Sequence, residues 1–155
     1  MNPLVQRFLE EARADLARGV HEAPDGSNRG PGIDELGEPG QPWCALAMCA
    51  WLRRAGVQHP DDSSKMFPLI DGAKDLVDFL TRHERGLGPS CRVFSPGDIV
   101  LFRRQDGDGV GHHVEVVETD DGVTLTCIGG NVRNAVRRSV RDRTRVVDAA
   151  RPIPA

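Results

Sequence analysis

The sequence predicts a single α+β domain, and three observations carry the prediction. Helical periodicity is confined to the first half of the chain, up to about His83. After Cys91 the pattern changes to short β-type runs divided by Gly- and Asp-rich turns. Helices first and an antiparallel meander afterwards is the α+β arrangement. The third observation is size: 155 residues with 39% hydrophobic content match one core rather than two. Residues 1–155 are therefore read as one domain.

In chain order, residues 3–18 form an amphipathic pattern with Leu4, Val5, Phe8, Leu9, Ala12 and Leu16 at helical spacing. Gly19 is its stop. From Val20 to Gly40 the chain is crowded with Gly, Pro, Asn and Asp, which predicts a long loop. Loops of this length inside a compact domain are usually functional or disordered. This one leads straight into PWCALAMCAWLRRAG (42–56), a helix with Pro42 near its first position and Gly56 as its cap. Because the run is apolar all round until Arg53, the helix is expected to be central and buried. A third helix is predicted over 68–83, with Leu69, Ala73, Leu76, Val77 and Leu80 on one face. The β-type runs are 97–104, 113–118, 122–128 and 134–140, and the separators QDGDGVG and TDDG carry hairpin chemistry.

Charge and composition exclude several classes. The net charge is −3 and the arginines are dispersed among acids, so neither nucleic acid nor a membrane surface is an expected partner. RNAVRRSVRDRTR (133–145) is the exception. It is read as a solvated strand and turn, with contact to an anionic polymer such as the cell wall as the competing reading. There is no run of about 18 apolar residues, and acids occupy the place of a signal peptide's apolar stretch. The chain is expected to be made in the cytoplasm and to need delivery if it works elsewhere.

Four cysteines, at 44, 49, 91 and 127, form no CxxC pair and no dense framework, so disulfides are not required. Cys44 and Cys49 are five apart, roughly 140° around a helix, and share neither a bridge nor a metal ion. No ligand pair has the usual close zinc spacing, so no metal is expected. His21, His59 and His83 fall in loops or helix ends and read as solvated.

Cys44 is the residue that packing does not explain. A helix N-terminus stabilises a thiolate by only about 0.3–1 kcal/mol. Lowering a thiol pKa from about 8.5 to the about 3–4 of His-paired cysteine proteases needs roughly 6 kcal/mol, so an imidazolium must supply most of it. GHHVEVV (111–117) offers two histidines at the start of a strand. Neighbouring strand residues point to opposite faces, so only one of His112 and His113 can meet Cys44. A third group should hold the other ring nitrogen. Asn131, in IGGN at the end of the next strand, is well placed for that.

Taken together, PWCALAMCAWLRRAG, the upstream SNRGPGID (27–34), PGDIVLFR (96–103), the histidine strand and IGGN with its basic successor resemble the CHAP-type cysteine amidases and peptidases, relatives of the NlpC/P60 papain-like superfamily. The resemblance spans most of residues 20–145. It implies a papain-like fold, with the nucleophile at the start of a helix packed on an antiparallel sheet that carries the histidine. By that resemblance Cys44 is the nucleophile, His113 the base and Asn131 the residue that orients the base. His112 stands where the family usually has Gly. Glu115 replaces a small residue two places after the base, where a carboxylate either raises the pKa of His113 or crowds the cleft. Many relatives carry Glu two residues before the Asn, where this chain has Gly129; others resemble its GGN form.

The activity implied is hydrolysis of an amide in bacterial cell-wall stem peptides through a thioester, with no cofactor. The chain would be a monomer acting as a phage lysin, an exported enzyme, or an injected effector with an immunity protein as partner. The alternative is a non-catalytic papain-like module that holds peptidoglycan or a protein. Asn28 and Arg29, in the loop before the nucleophile, are candidate cleft residues, with a turn-forming Asn as the competing reading. Trp43 is core or a wall of the cleft. Asp98 is expected to stabilise the turn into its strand.

Overall fold

A computed structural model of the chain describes residues 1–104 and 111–155. Most of the QDGDGVG separator lies outside the described residues. In chain order the elements are α1 (Pro3–Ala17), α2 (Pro31–Asp34), α3 (Cys44–Arg54), β1 (Gln58–His59), β2 (Asp62–Met66), α4 (Ala73–Arg82), β3 (Ile99–Arg103), β4 (His112–Asp120), β5 (Thr124–Val132), β6 (Ala135–Asp142) and β7 (Asp148–Ala150). The fold is α+β. Its main sheet is five-stranded and antiparallel, in the order β6-β5-β4-β3-β7.

α1 starts where Asn2 accepts a hydrogen bond from the Leu4 amide at 2.9 Å, with Pro3 in the first turn, where its missing N–H costs nothing. Phe8, Leu9 and Ala12 are buried along one stripe, and Asp15 continues it. Asp15 is not an error of patterning. It accepts from the indole N–H of Trp51 at 2.8 Å and from Arg54 at 3.0 Å, which ties α1 to α3. Every residue of α3 from Cys44 to Leu52 is buried, as its uniformly apolar sequence demands. α4 starts at Ala73, five residues later than the periodicity suggested, and buries Ala73, Leu76, Val77 and Leu80.

The sheet has two different faces. One packs with Leu101, Val114, Val116 and Ile128 against the three long helices and holds the larger core. The other carries a smaller cluster that includes Val100, Phe102, Val117, Leu125 and Cys127, none of it helical.

Four elements escaped the sequence pattern. β1 and β2 form a hairpin whose DSSKM strand is largely exposed, so no apolar alternation marks it. β7 is three residues long, pairs with β3 at the sheet edge and buries only the small side chains of Ala149 and Ala150. Within the segment read as one long loop, α2 makes a single turn, and Ile33 and Leu36 anchor that segment in the core.

Candidate active site

Cys44 is the first residue of α3, and Trp43 is its N-cap. The Trp43 ring is fully buried. Its indole N–H donates to Glu22 at 2.9 Å, and the other Glu22 oxygen takes the Gly26 amide at 2.6 Å. A buried carboxylate thus fastens the loop to the helix start. Of the two placements expected for it, Trp43 takes the core one: it supports Cys44 from below and does not wall a cleft. Gly130 lies against the same ring. A Cβ there would stand 2.7 Å from the Ala47 Cβ and 2.9 Å from the indole, so only glycine lets β5 approach this closely.

The strands open a gap for the sulfur. β4 pairs with β3 from Arg103↔His112 to Ile99↔Val116, but its register with β5 begins only at Val116↔Ile128. Among the described residues, the first four positions of β4 are paired on the β3 side alone. β5 bends away instead, with Asn131 at φ 56°. Arg133 and Asn134 follow at φ 49° and 64°, the two positive values that a tight hairpin between β5 and β6 requires. The Val114 amide and the His113 ring, freed from β5, lie close enough to the Cys44 sulfur to hold its pKa down.

The far nitrogen of that ring does not meet Asn131. His113 Nε2 lies 3.0 Å from Glu115 Oε1. An ionised carboxylate only accepts, so Nε2 carries the hydrogen and Nδ1 is left for the sulfur. Glu115 is fully buried and is held from behind by Arg141, whose Nε donates to Oε2 at 3.0 Å and whose Nη2 donates to Oε1. This two-pronged pairing is the strong form of an Arg–carboxylate contact. Asn131 was expected to orient the base. Its left-handed backbone lies where the β5–β6 register shifts, between Gly129 and Val132, and Glu115 takes the position because residues two apart on a strand share a face. Gly129 leaves room for it: a Cβ at 129 would stand 2.6 Å from the Glu115 Cγ.

Electrostatics follow from this chain of contacts. Burial pushes the Cys44 thiol up, but the hydrogen bond and charge of His113, the Val114 amide and the nearby Arg104 outweigh it and hold the thiol below its ordinary value. Burial likewise disfavours the His113 cation, yet Cys44 and Glu115 together raise its pKa to about 9. Glu115, also penalised by burial, is held below the usual carboxylate range by His113 and Arg141. All three shifts run toward the charged forms, a thiolate beside an imidazolium beside a carboxylate. The other buried thiols behave oppositely. Burial pushes Cys49, beside the Ile70 carbonyl, up to about 12, and drives Cys127 up as well.

His112 pairs with Arg103 on the neighbouring strand, and His113 is the histidine that reaches the sulfur. Asn28 adopts φ 54° and its carbonyl accepts from the Gly40 amide at 2.9 Å, the behaviour of a turn residue. Arg29 lies over Gly40. Neither lines the large groove beside the site, whose walls include Phe102, His113 and Asn131. Asp98 accepts from the Ser95 amide and from Arg151, closing the turn into β3. No cluster of three or more metal-ligating side chains occurs among the described residues, and no described helix is long and apolar enough to cross a membrane.

Arg141 is the site residue that the sequence reading missed; Glu115 was expected either to raise the pKa of His113 or to crowd the cleft, and it does the first. The i, i+2 spacing from His113 and the glycine at 129 are signals that could have placed Glu115 behind the base. Arg141 leaves no local signal, being 26 positions away. Comparison with protein-family models, with curated proteins and with solved structures finds no match for this chain.

Proposed function

We propose that the protein is a cysteine amide hydrolase of papain-like architecture, with Cys44 as nucleophile, His113 as acid and base, and Glu115 holding the imidazole. The single observation that carries this reading is the buried row of Cys44, His113 and Glu115 at the N-terminus of α3. A purely structural cysteine has no need of an imidazole whose other nitrogen is bound by an ion-paired carboxylate.

In the reaction, the Cys44 thiolate adds to the amide carbonyl carbon. The oxygen becomes an oxyanion within reach of the Cys44 N–H, one of the donors that a helix start leaves without an intrahelical partner. Collapse breaks the C–N bond while His113 gives its proton to the leaving amine, and a thioester remains. Neutral His113 then takes a proton from water, the hydroxide displaces the sulfur, and the acid leaves. Glu115 keeps the ring in the tautomer both steps require and stabilises its cationic form. No cofactor enters these steps.

The resemblance of the sequence motifs to cell-wall hydrolases makes stem peptides of bacterial peptidoglycan the substrate to test first. Purified sacculi incubated with the wild-type protein should release new amine and carboxyl ends, read by mass spectrometry of the soluble fragments. Cys44→Ala should release none. Equal release by the variant would reject the mechanism, and absence of release by both would reject the substrate. Mapping iodoacetamide labelling by peptide mass tests the thiol alone: Cys44 should react at pH 6–7, ahead of half-exposed Cys91.

A further inference from the structure

The groove beside the dyad has a volume of about 1220 Å³, larger than the roughly 300–1,000 Å³ typical of small-molecule sites. Seven of its sixteen lining residues are arginine and, among the described residues, none is acidic. The protein as a whole carries a net charge of −3, so seven of its eighteen arginines face one groove in an acidic molecule. Among them, Arg138 pairs with Glu118 at 2.6 Å, and Arg141 holds Glu115. Arg103, Arg104 and Arg133 make no ion pair among the described residues, and Arg137 donates through Nε to the Val132 carbonyl. Arg103, Arg133 and Arg137 are exposed.

Such a concentration of cations is self-repulsive and raises the local concentration of anions. Guanidinium groups are also the side chains whose fork matches a carboxylate. His113 lines the groove while its ring contacts Cys44. Cys44 itself does not line it, so a chain lying in the groove reaches the sulfur across the imidazole.

We infer that this groove is the subsite for an acidic segment of the substrate, a peptide with several carboxylates flanking the amide to be cut. The inference rests on the hydrolase reading and deepens it. A peptide is favoured over a phosphate polymer because the groove is continuous with an imidazole placed for amide chemistry, and only the peptide carries amide and anions in one chain.

The test uses the 155-residue Cys44→Ala protein and two rhodamine-labelled peptides, hexaglutamate and hexaglutamine, with binding read by fluorescence anisotropy in about 50 mM salt. Hexaglutamate should bind at least tenfold more tightly. The Arg133→Gln/Arg137→Gln double variant should lose at least fivefold of that affinity, and Arg82→Gln, on α4, should lose none. Raising salt to 0.5 M should remove most of the preference.

Equal binding of the two peptides, or loss of the preference in Arg82→Gln alone, overturns the inference. So does displacement of hexaglutamate by inorganic polyphosphate of equal charge at a tenfold lower concentration, which would assign the groove to phosphate polymers. Failure of the hydrolase reading looks different: wild-type Cys44 would then alkylate with iodoacetamide no faster than free cysteine, whatever the peptides do.

Discussion

At the scale of single residues, Glu115 decides how the dyad is poised. Its charge raises the pKa of His113 and, through the imidazolium, lowers that of Cys44. In Glu115→Gln the amide oxygen still accepts from Nε2, but the charge is gone. The alkaline limb of the proposed hydrolysis, set near 9 by His113, should then fall, and the acid limb set by Cys44 should rise, each by roughly 1–2 pH units. Hydrolysis should drop by about 10²-fold. Rates against pH for both proteins check this, and limbs that stay where they were would remove Glu115 from the mechanism. The stability consequence has a definite sign. The folded pKa of Glu115 is depressed, so its contribution is present above the unfolded value and fades as pH falls through the folded one. For His113 the folded pKa is raised, so its contribution is complete below about 6.5 and is lost as pH climbs through about 9.

At the scale of elements, two adjacent glycines on β5 serve opposite faces of the sheet. A methyl at 129 meets Glu115, and a methyl at 130 meets Trp43 and Ala47. Both substitutions to Ala overpack and should cost about 1–3 kcal/mol, measured by urea unfolding. Their functional signatures should differ. Gly129→Ala displaces the carboxylate, so its pH profile should shift in the same direction as that of Glu115→Gln. Gly130→Ala pushes on the start of α3 and should slow Cys44 alkylation while the alkaline limb stays in place. The division follows from the period of two along a strand, which turns consecutive residues to opposite sides.

At the scale of the whole molecule, the Cys44 sulfur is held in place from a distance. Asp15 on α1 accepts from Trp51 and from Arg54 on α3, and Glu22 accepts from Trp43 at the other end of that helix. Two buried carboxylates thus fix both ends of the element that presents the sulfur. Asp15→Ala leaves the Trp51 N–H buried without its acceptor, at a cost of about 1–3 kcal/mol. For a chain of this length, 2 kcal/mol corresponds to a fall in Tm of roughly 4–8 °C, readable by calorimetry. Alkylation of Cys44 at 20 °C should be unchanged, since the folded state remains dominant.

Much of this was legible in the sequence. The apolar run of α3, the periodicity of α1 and the alternation after Cys91 are local patterns, and local patterns report which face of an element is buried. They also marked Cys44 and the histidine pair, because a thiol at a helix start and an imidazole at a strand start are local facts. β1, β2 and β7 were not legible, since backbone pairing forms them with little apolar side-chain pattern. Asn131 was assigned to orient the base on the adjacency of strands and on the family resemblance, neither of which reports the register at the end of β5.

By itself, the amino-acid order determined the fold class, the buried central helix and the two chemical groups that meet. Only the tertiary structure decided what stands behind the imidazole. That choice depends on where β5 parts from β4, on a left-handed backbone at Asn131, and on an arginine 26 positions away that makes a buried glutamate tolerable. Register and charge compensation act between distant segments, and no window of sequence contains both partners.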